Sequence, residues 1–144
     1  DVGIISLNLK TGLARFSGAN TGMYLMHNSQ VDFLEPTKLP LAGQELPNED
    51  NLLLREYETI AFKLNPGDRF ILSTDGVKDQ LGLDDTGRTK RLGRRAFHDF
   101  LQANAHLSFA KMDILFQRLM SQWTLGEEQT DDMLVIGAEF QPIT

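Results

Sequence analysis

Arg69-Phe70-Ile71-Leu72-Ser73-Thr74-Asp75-Gly76 is the stretch on which the reading of this chain turns. Its first six residues form a short, mostly apolar run, the kind of strand that lies inside a sheet with both faces covered. An acid and a glycine close it. Far downstream the order is reversed, and Asp131-Asp132 opens the apolar run Met133-Leu134-Val135-Ile136. Acidic side chains at strand ends, remote in sequence, are a common way to hold a hard divalent cation, which prefers oxygen ligands. Each signal also has a plainer reading. Asp-Gly is a favoured turn dipeptide. Two adjacent carboxylates repel unless something positive offsets them, but both can simply stand in water.

Upstream of this stretch the sequence reads as β structure. Asn65-Pro66-Gly67-Asp68 is a strong turn. Ile4 to Leu9 and Leu13 to Ala19 form a hairpin around Lys10-Thr11-Gly12. Short strands at Met23 to His27 and Val31 to Leu34 follow, around Asn28-Ser29-Gln30. Residues 35–51 carry Pro36, Pro40, Gly43, Pro47 and Asn48 and read as an irregular loop, and Leu52 to Leu64 as extended chain.

Downstream the periodicity changes. Leu81 to Lys90 is polar and turn-rich. Leu92, Ala96, Phe97, Phe100 and Leu101 have helical spacing. Ser108 is placed to cap a second helix, whose apolar face is Phe109, Met112, Leu115, Phe116, Leu119, Met120 and Trp123, with Leu125-Gly126 as its end. A last strand spans about Asp132 to Phe140. Antiparallel strands, two helices and a closing strand predict an α+β fold, with both helices on one face of an antiparallel β-sheet.

The 144 residues are enough for one domain with a real core, and no repeat or linker divides them. The net charge of −6 argues against general nucleic-acid binding. No apolar stretch approaches membrane-spanning length, and no basic segment precedes an apolar one as in a signal peptide. The absence of cysteine excludes disulfides and thiolate metal sites and suits a reducing compartment, so a cytoplasmic location is expected. The chain begins directly in strand-like sequence, which suggests a piece of a longer polypeptide, such as the cytosolic domain of a larger sensor protein.

One local feature runs against the overall charge. Arg88, Lys90, Arg91, Arg94 and Arg95 cluster where the first helix begins, although the helix dipole disfavours cations there. Arg88, Arg91, Arg94 and Arg95 are therefore candidates for docking a phosphorylated or acidic partner. The plainer reading is a solvated face. His27, His98 and His106 have no mutual ligand spacing and are read as non-catalytic. No Walker-type glycine loop is present, and Ser73 and Val77 stand where a haloacid-dehalogenase motif would place its second aspartate.

Five segments, taken in order, resemble the bacterial SpoIIE/RsbU-like branch of the PP2C (PPM) serine/threonine phosphatases. Ser17-Gly18-Ala19-Asn20-Thr21-Gly22 sits where that branch has "aNAGH" or "aNNPl", and Leu39-Pro40-Leu41-Ala42-Gly43 resembles its "g.PLG". Leu64 to Val77 is similar to its "GD…l.SDG" segment, and Lys78-Asp79-Gln80-Leu81-Gly82 to its "DQfGG" continuation. Gln129-Thr130-Asp131-Asp132-Met133-Leu134-Val135 resembles its terminal "Q.DDmTlv".

The resemblance implies that residues 1–144 are the C-terminal portion of a single phosphatase domain, part of a PP2C-like β-sandwich. It implies that Asp75 and Asp131 are ligands in a two-metal Mn²⁺ or Mg²⁺ centre. No side chain is assigned as the attacking or proton-transferring group, because metal-bound water fills that role. The implied substrate is a phosphorylated regulatory protein of the anti-sigma-factor-antagonist kind, with no nucleic acid and no membrane contact. Three departures stand out. The segment carrying the family's other metal-binding acids has no counterpart here, so little activity is expected of this chain alone. Leu134 replaces a Thr or Ser, and Thr21-Gly22-Met23 replaces the "AGH" form. The competing reading is a non-catalytic module that binds a partner, with the acids as relics. Unpaired strand edges also raise the prospect of a homodimer.

Overall fold

The computed structural model describes residues 1–41, 56–84, 86–125 and 127–143. In chain order its elements are β1 (Val2–Leu7), β2 (Leu13–Ala19), β3 (Met23–His27), β4 (Gln30–Leu34), β5 (Ile60–Lys63), β6 (Arg69–Ser73), α1 (Asp75–Asp79), β7 (Leu81–Leu83), β8 (Thr89–Arg91), α2 (Gly93–Asn104), α3 (Phe109–Trp123) and β9 (Val135–Glu139). The strands make a three-stranded sheet β1-β2-β5, a four-stranded sheet β4-β3-β6-β9 and a small hairpin β7-β8. Every strand pairing is antiparallel.

The two-residue period of the strands sorts the side chains into two cores. Tyr24 and Met26 of β3 and Ile71 of β6 join Phe97, Leu101 and Met112 in a core beneath α2 and α3. The alternate positions, Leu25 and Phe70, join Ala14, Phe62, Leu64 and Phe140 in a second core between the two larger sheets. The chain is thus a sandwich of two sheets with α2 and α3 on the outer face of one, the α+β arrangement expected. Phe97 anchors the helical layer, with its ring edge-on to Tyr24 at 5.3 Å and tilted to Phe116 at 5.5 Å. Its replacement by Ala would cost about 3–5 kcal/mol through the cavity left behind.

Several boundaries depart from the sequence reading for local reasons. β1 ends at Leu7 rather than Leu9 because the Asn8 carboxamide accepts the Lys10 and Thr11 amides, each at 3.0 Å, and turns the chain early. β3 and β4 are joined by Asn28 and Ser29 alone, both left-handed at φ 50° and 63°, so β4 begins one residue earlier than expected. Asp75 does not lie in a simple turn but opens α1, and Leu81 to Lys90 contains the β7-β8 hairpin rather than loop alone. β9 begins only at Val135. Ser108 takes the N-cap position of α3, but through its backbone carbonyl rather than its hydroxyl. Of the stretch expected to be extended from Leu52 to Leu64, Ile60–Lys63 is strand. Most of the predicted loop 35–51, the Ala42-Gly43 end of the "g.PLG" segment and Gly126 lie outside the described residues.

Candidate active site

Register brings the two acidic signals together. In β6 and β9, Ser73 pairs with Val135, so the C-terminal end of one strand and the N-terminal end of the other share one edge of the sheet. Past that edge the ladder gives way to Thr74. Its amide donates to the Leu134 carbonyl at 3.0 Å, and its hydroxyl donates to the Asp132 carbonyl at 2.9 Å while accepting the Leu134 amide at 2.9 Å. One side chain thus holds the Asp131–Leu134 segment beside the start of α1.

The glycine of Asp75-Gly76 is required by that proximity. A Cβ at Gly76 would overlap the Asp132 carbonyl oxygen and lie 2.9 Å from its carbon and 3.4 Å from the Asp131 carbonyl carbon. Asp75, in the first turn of α1, and Asp131, on the adjoining segment, are therefore neighbours at one end of the sandwich. Asp75 is partly buried, whereas Asp131 and Asp132 are exposed. Asp131 also turns its carboxylate back to accept the Asp132 amide at 2.7 Å.

Gln80 was not singled out in the sequence, yet it organises this segment. It is fully buried. Its Nε2 donates to the Leu81 carbonyl at 3.0 Å and the Glu128 carbonyl at 3.1 Å, and its Oε1 accepts the Thr130 amide at 3.4 Å. Its backbone carbonyl accepts the Leu92 amide at 2.9 Å and the Trp123 indole N–H at 3.1 Å. The approach to Asp131 is thereby tied to α1, to the β7-β8 hairpin and to the end of α3. The available signal was its place in the "DQfGG"-like segment.

The basic cluster does not form one patch. Arg91 pairs with Asp79 at 2.9 Å, Lys90 reaches Asp84 at 3.9 Å, and Arg95 lies 3.9 Å from Asp99 on its own helix. Arg88 gives its amide to the Asp84 carboxylate at 3.0 Å and is exposed. Arg94 alone of the four candidate arginines turns toward the acidic end. One of its nitrogens donates to both Glu35 carboxylate oxygens, at 2.7 and 2.8 Å, and its guanidinium stacks 4.6 Å above the Phe33 ring. Arg94, Glu35 and Phe33 share a cleft of about 280 Å³ with Asp75, Tyr24, Lys38 and Lys78. Burial pushes the Tyr24 hydroxyl up to about 12, with Arg94 opposing and Glu35 reinforcing the shift.

The Asp75, Asp131 and Asp132 carboxylates suit Mn²⁺ or Mg²⁺ in kind, since both ions prefer oxygen donors. Among the described residues, however, no three His, Cys, Asp or Glu side chains converge as a complete protein shell would. The donor set fits part of a metal centre.

The family model for stage II sporulation protein E (SpoIIE) matches residues 2–141, almost the whole chain. The chain belongs to the SpoIIE family. No curated protein sequence matches it significantly. Its fold is that of PP2C phosphatase domains. The SiaA PP2C domain of Pseudomonas aeruginosa superposes with a TM-score of 0.80 at 24% identity, over 96% of this chain and 51% of that one. The SpoIIE phosphatase domain of Bacillus subtilis gives 0.60 at 16% identity, over 99% of this chain and 59% of that one. A Mycobacterium tuberculosis structure of RsbU and RsbW domains gives 0.67 at 16% identity, over 99% and 36%. The chain thus spans about half the length of the first two. One form of the B. subtilis domain is described as presoaked with Mn. Among the described residues, no helix is long and apolar enough to cross a membrane.

Proposed function

We propose that this chain supplies one side of a metal-dependent phosphatase centre, with Asp75 and Asp131 as metal ligands. The observation that carries the reading is the contact of Asp75-Gly76 with Asp131-Asp132, held by the Thr74 hydroxyl and permitted by a residue without a Cβ. A bound pair of Mn²⁺ or Mg²⁺ ions supplies an activated water near neutral pH and offsets charge on the phosphoryl oxygens. The chain's own residues orient and exclude. α1 presents Asp75, Thr74 fixes the facing segment, and Gln80 keeps that segment from drifting outward. The proposed substrate is a phosphoserine or phosphothreonine on a bacterial regulatory protein, acted on in the cytoplasm. The remaining metal ligands come from water, the substrate and other protein groups.

The test is Mn²⁺-dependent hydrolysis of p-nitrophenyl phosphate by the full-length protein, with Asp75→Asn and Asp131→Asn beside it. Loss of turnover in both variants supports the assignment. Full activity in both removes it. The small number of converging acids favours a second reading, a partner-binding module without catalysis. Stable binding of a protein partner, with no hydrolysis under any divalent metal, would select that reading.

A further inference from the structure

The cleft beside Asp75 is built for more than a phosphoryl group. Its walls are β3, the end of β4 with the chain just after it, α1 and the start of α2. Its floor is the partly exposed ring of Phe33, backed by the buried rings of Tyr24 and Phe97. Tyr24 and Phe33 lie 4.8 Å apart and Tyr24 and Phe97 5.3 Å apart, so the floor is one packed surface. Three cations, Arg94, Lys38 and Lys78, stand around it. Arg94 is committed to Glu35 and Phe33 and serves as a fixed wall. The two lysines differ. Lys38 has no ion pair among the described residues, and Lys78 has only Asp79 at 3.8 Å, with both side chains partly open to water. Lys78 also lies one helical turn beyond Asp75 on α1, so whatever it holds sits next to the acidic end.

We propose that this cleft is a substrate-recognition subsite for residues flanking the phosphorylated one. An acidic side chain of the substrate is held between Lys38 and Lys78, and a neighbouring apolar side chain lies against Phe33. The assignment of the anion as substrate rests on the phosphatase reading, whereas the binding chemistry of the cleft does not. The apolar floor is what favours a peptide over a bare anion, because a free phosphate has nothing to lay against the Phe33 ring. Two flexible, largely uncommitted ammonium groups are free to meet a carboxylate as point charges, whereas the planar Arg94 is already paired.

The test is fluorescence anisotropy with labelled phosphoserine peptides in EDTA, using the full-length protein. One peptide carries two glutamates and a leucine beside the phosphoserine, a second carries glutamines in their place, and a third keeps the glutamates but lacks the phosphate. The wild type is expected to bind the acidic phosphopeptide about tenfold more tightly than its glutamine counterpart, with the preference shrinking as salt rises. Lys38→Gln and Lys78→Gln together should reduce the preference to about twofold or less. Phe33→Leu should weaken both phosphopeptides alike while keeping their ratio. Equal binding of the two phosphopeptides by the wild type would overturn the proposal, as would an unchanged preference in the double lysine variant. Erasure of the preference by millimolar inorganic phosphate would also overturn it, because the cleft would then be a phosphate site. Hydrolysis of p-nitrophenyl phosphate without a flank preference would defeat the subsite alone. A flank preference without hydrolysis would defeat the phosphatase reading alone.

Discussion

Replacing Gly76 by alanine separates two effects that usually travel together. Alanine is the better helix former by up to about 1 kcal/mol, so within α1 the change should stabilise. The added methyl, however, would overlap the Asp132 carbonyl oxygen and stand 2.9 Å from its carbon, about 0.5 Å inside ordinary contact, which begins near 3.4 Å. Both sides of that contact are backbone, so no side chain can swing away. On the helix side, Val77 is fully buried and fixes α1. The Asp131–Leu134 segment must therefore move outward, against the Thr74 bonds. Overpacking of this kind costs about 1–3 kcal/mol, leaving a net loss of about 0–2 kcal/mol after the full helix gain. A displacement near 1 Å at the acidic end would lower turnover by about a hundredfold. Urea unfolding and Mn²⁺-dependent hydrolysis of p-nitrophenyl phosphate should thus show a small stability loss beside a large activity loss. A Gly76→Ala protein as stable and as active as the wild type would refute the contact between α1 and Asp131-Asp132.

Three further outcomes follow from the same geometry. Gln80→Ala leaves the Leu81 and Glu128 carbonyls and the Thr130 amide without their buried partner, and should lower stability by about 1–3 kcal/mol in urea unfolding. Arg69 donates to the Leu107 carbonyl at 2.6 Å and to the Ala105 carbonyl, closing the end of α2 against β6. Arg69→Met should therefore cost about 1.5–3 kcal/mol, with hydrogen exchange rising first between residues 104 and 108. In a Tyr57→Phe background, which leaves Tyr24 as the sole tyrosine, absorbance near 295 nm should titrate with a midpoint near 12 in the folded protein. Because folding raises this pKa from 10.0, the stabilisation is complete below pH 10 and is lost as pH rises toward 12. A midpoint at 10 with the fold intact would contradict the burial of the hydroxyl.

Much of this architecture was written in local patterns. The strand from Arg69 and the helix from Phe109 each carry a periodic apolar face, and a buried face leaves that trace whatever it packs against. Asp75 and Asp131 were legible because acids at the ends of apolar runs are unusual, and register then made them neighbours. Other features left no such trace. α1 is five residues long, too short for a period, and opens with a dipeptide that favours turns. The β7-β8 hairpin rests on Gly82 lying against the Trp123 ring, a contact between distant residues. Gln80 is a polar residue whose hydrogen bonds are tertiary, so its place in the "DQfGG"-like segment marked the position while its role shows only in its burial. The basic cluster was visible as composition, but its division among Asp79, Glu35 and Asp99 depends on which element each arginine faces.

The central claim is that Asp75 and Asp131 serve one metal centre, and Mn²⁺ binding to the full-length protein by isothermal titration calorimetry tests it most directly. Asp75→Asn and Asp131→Asn should each weaken Mn²⁺ binding by about tenfold or more, and the double variant should be little worse than the weaker single one, because ligands of one site are not additive. Wild-type Mn²⁺ affinity in both single variants, or losses that simply add as for independent sites, would contradict it.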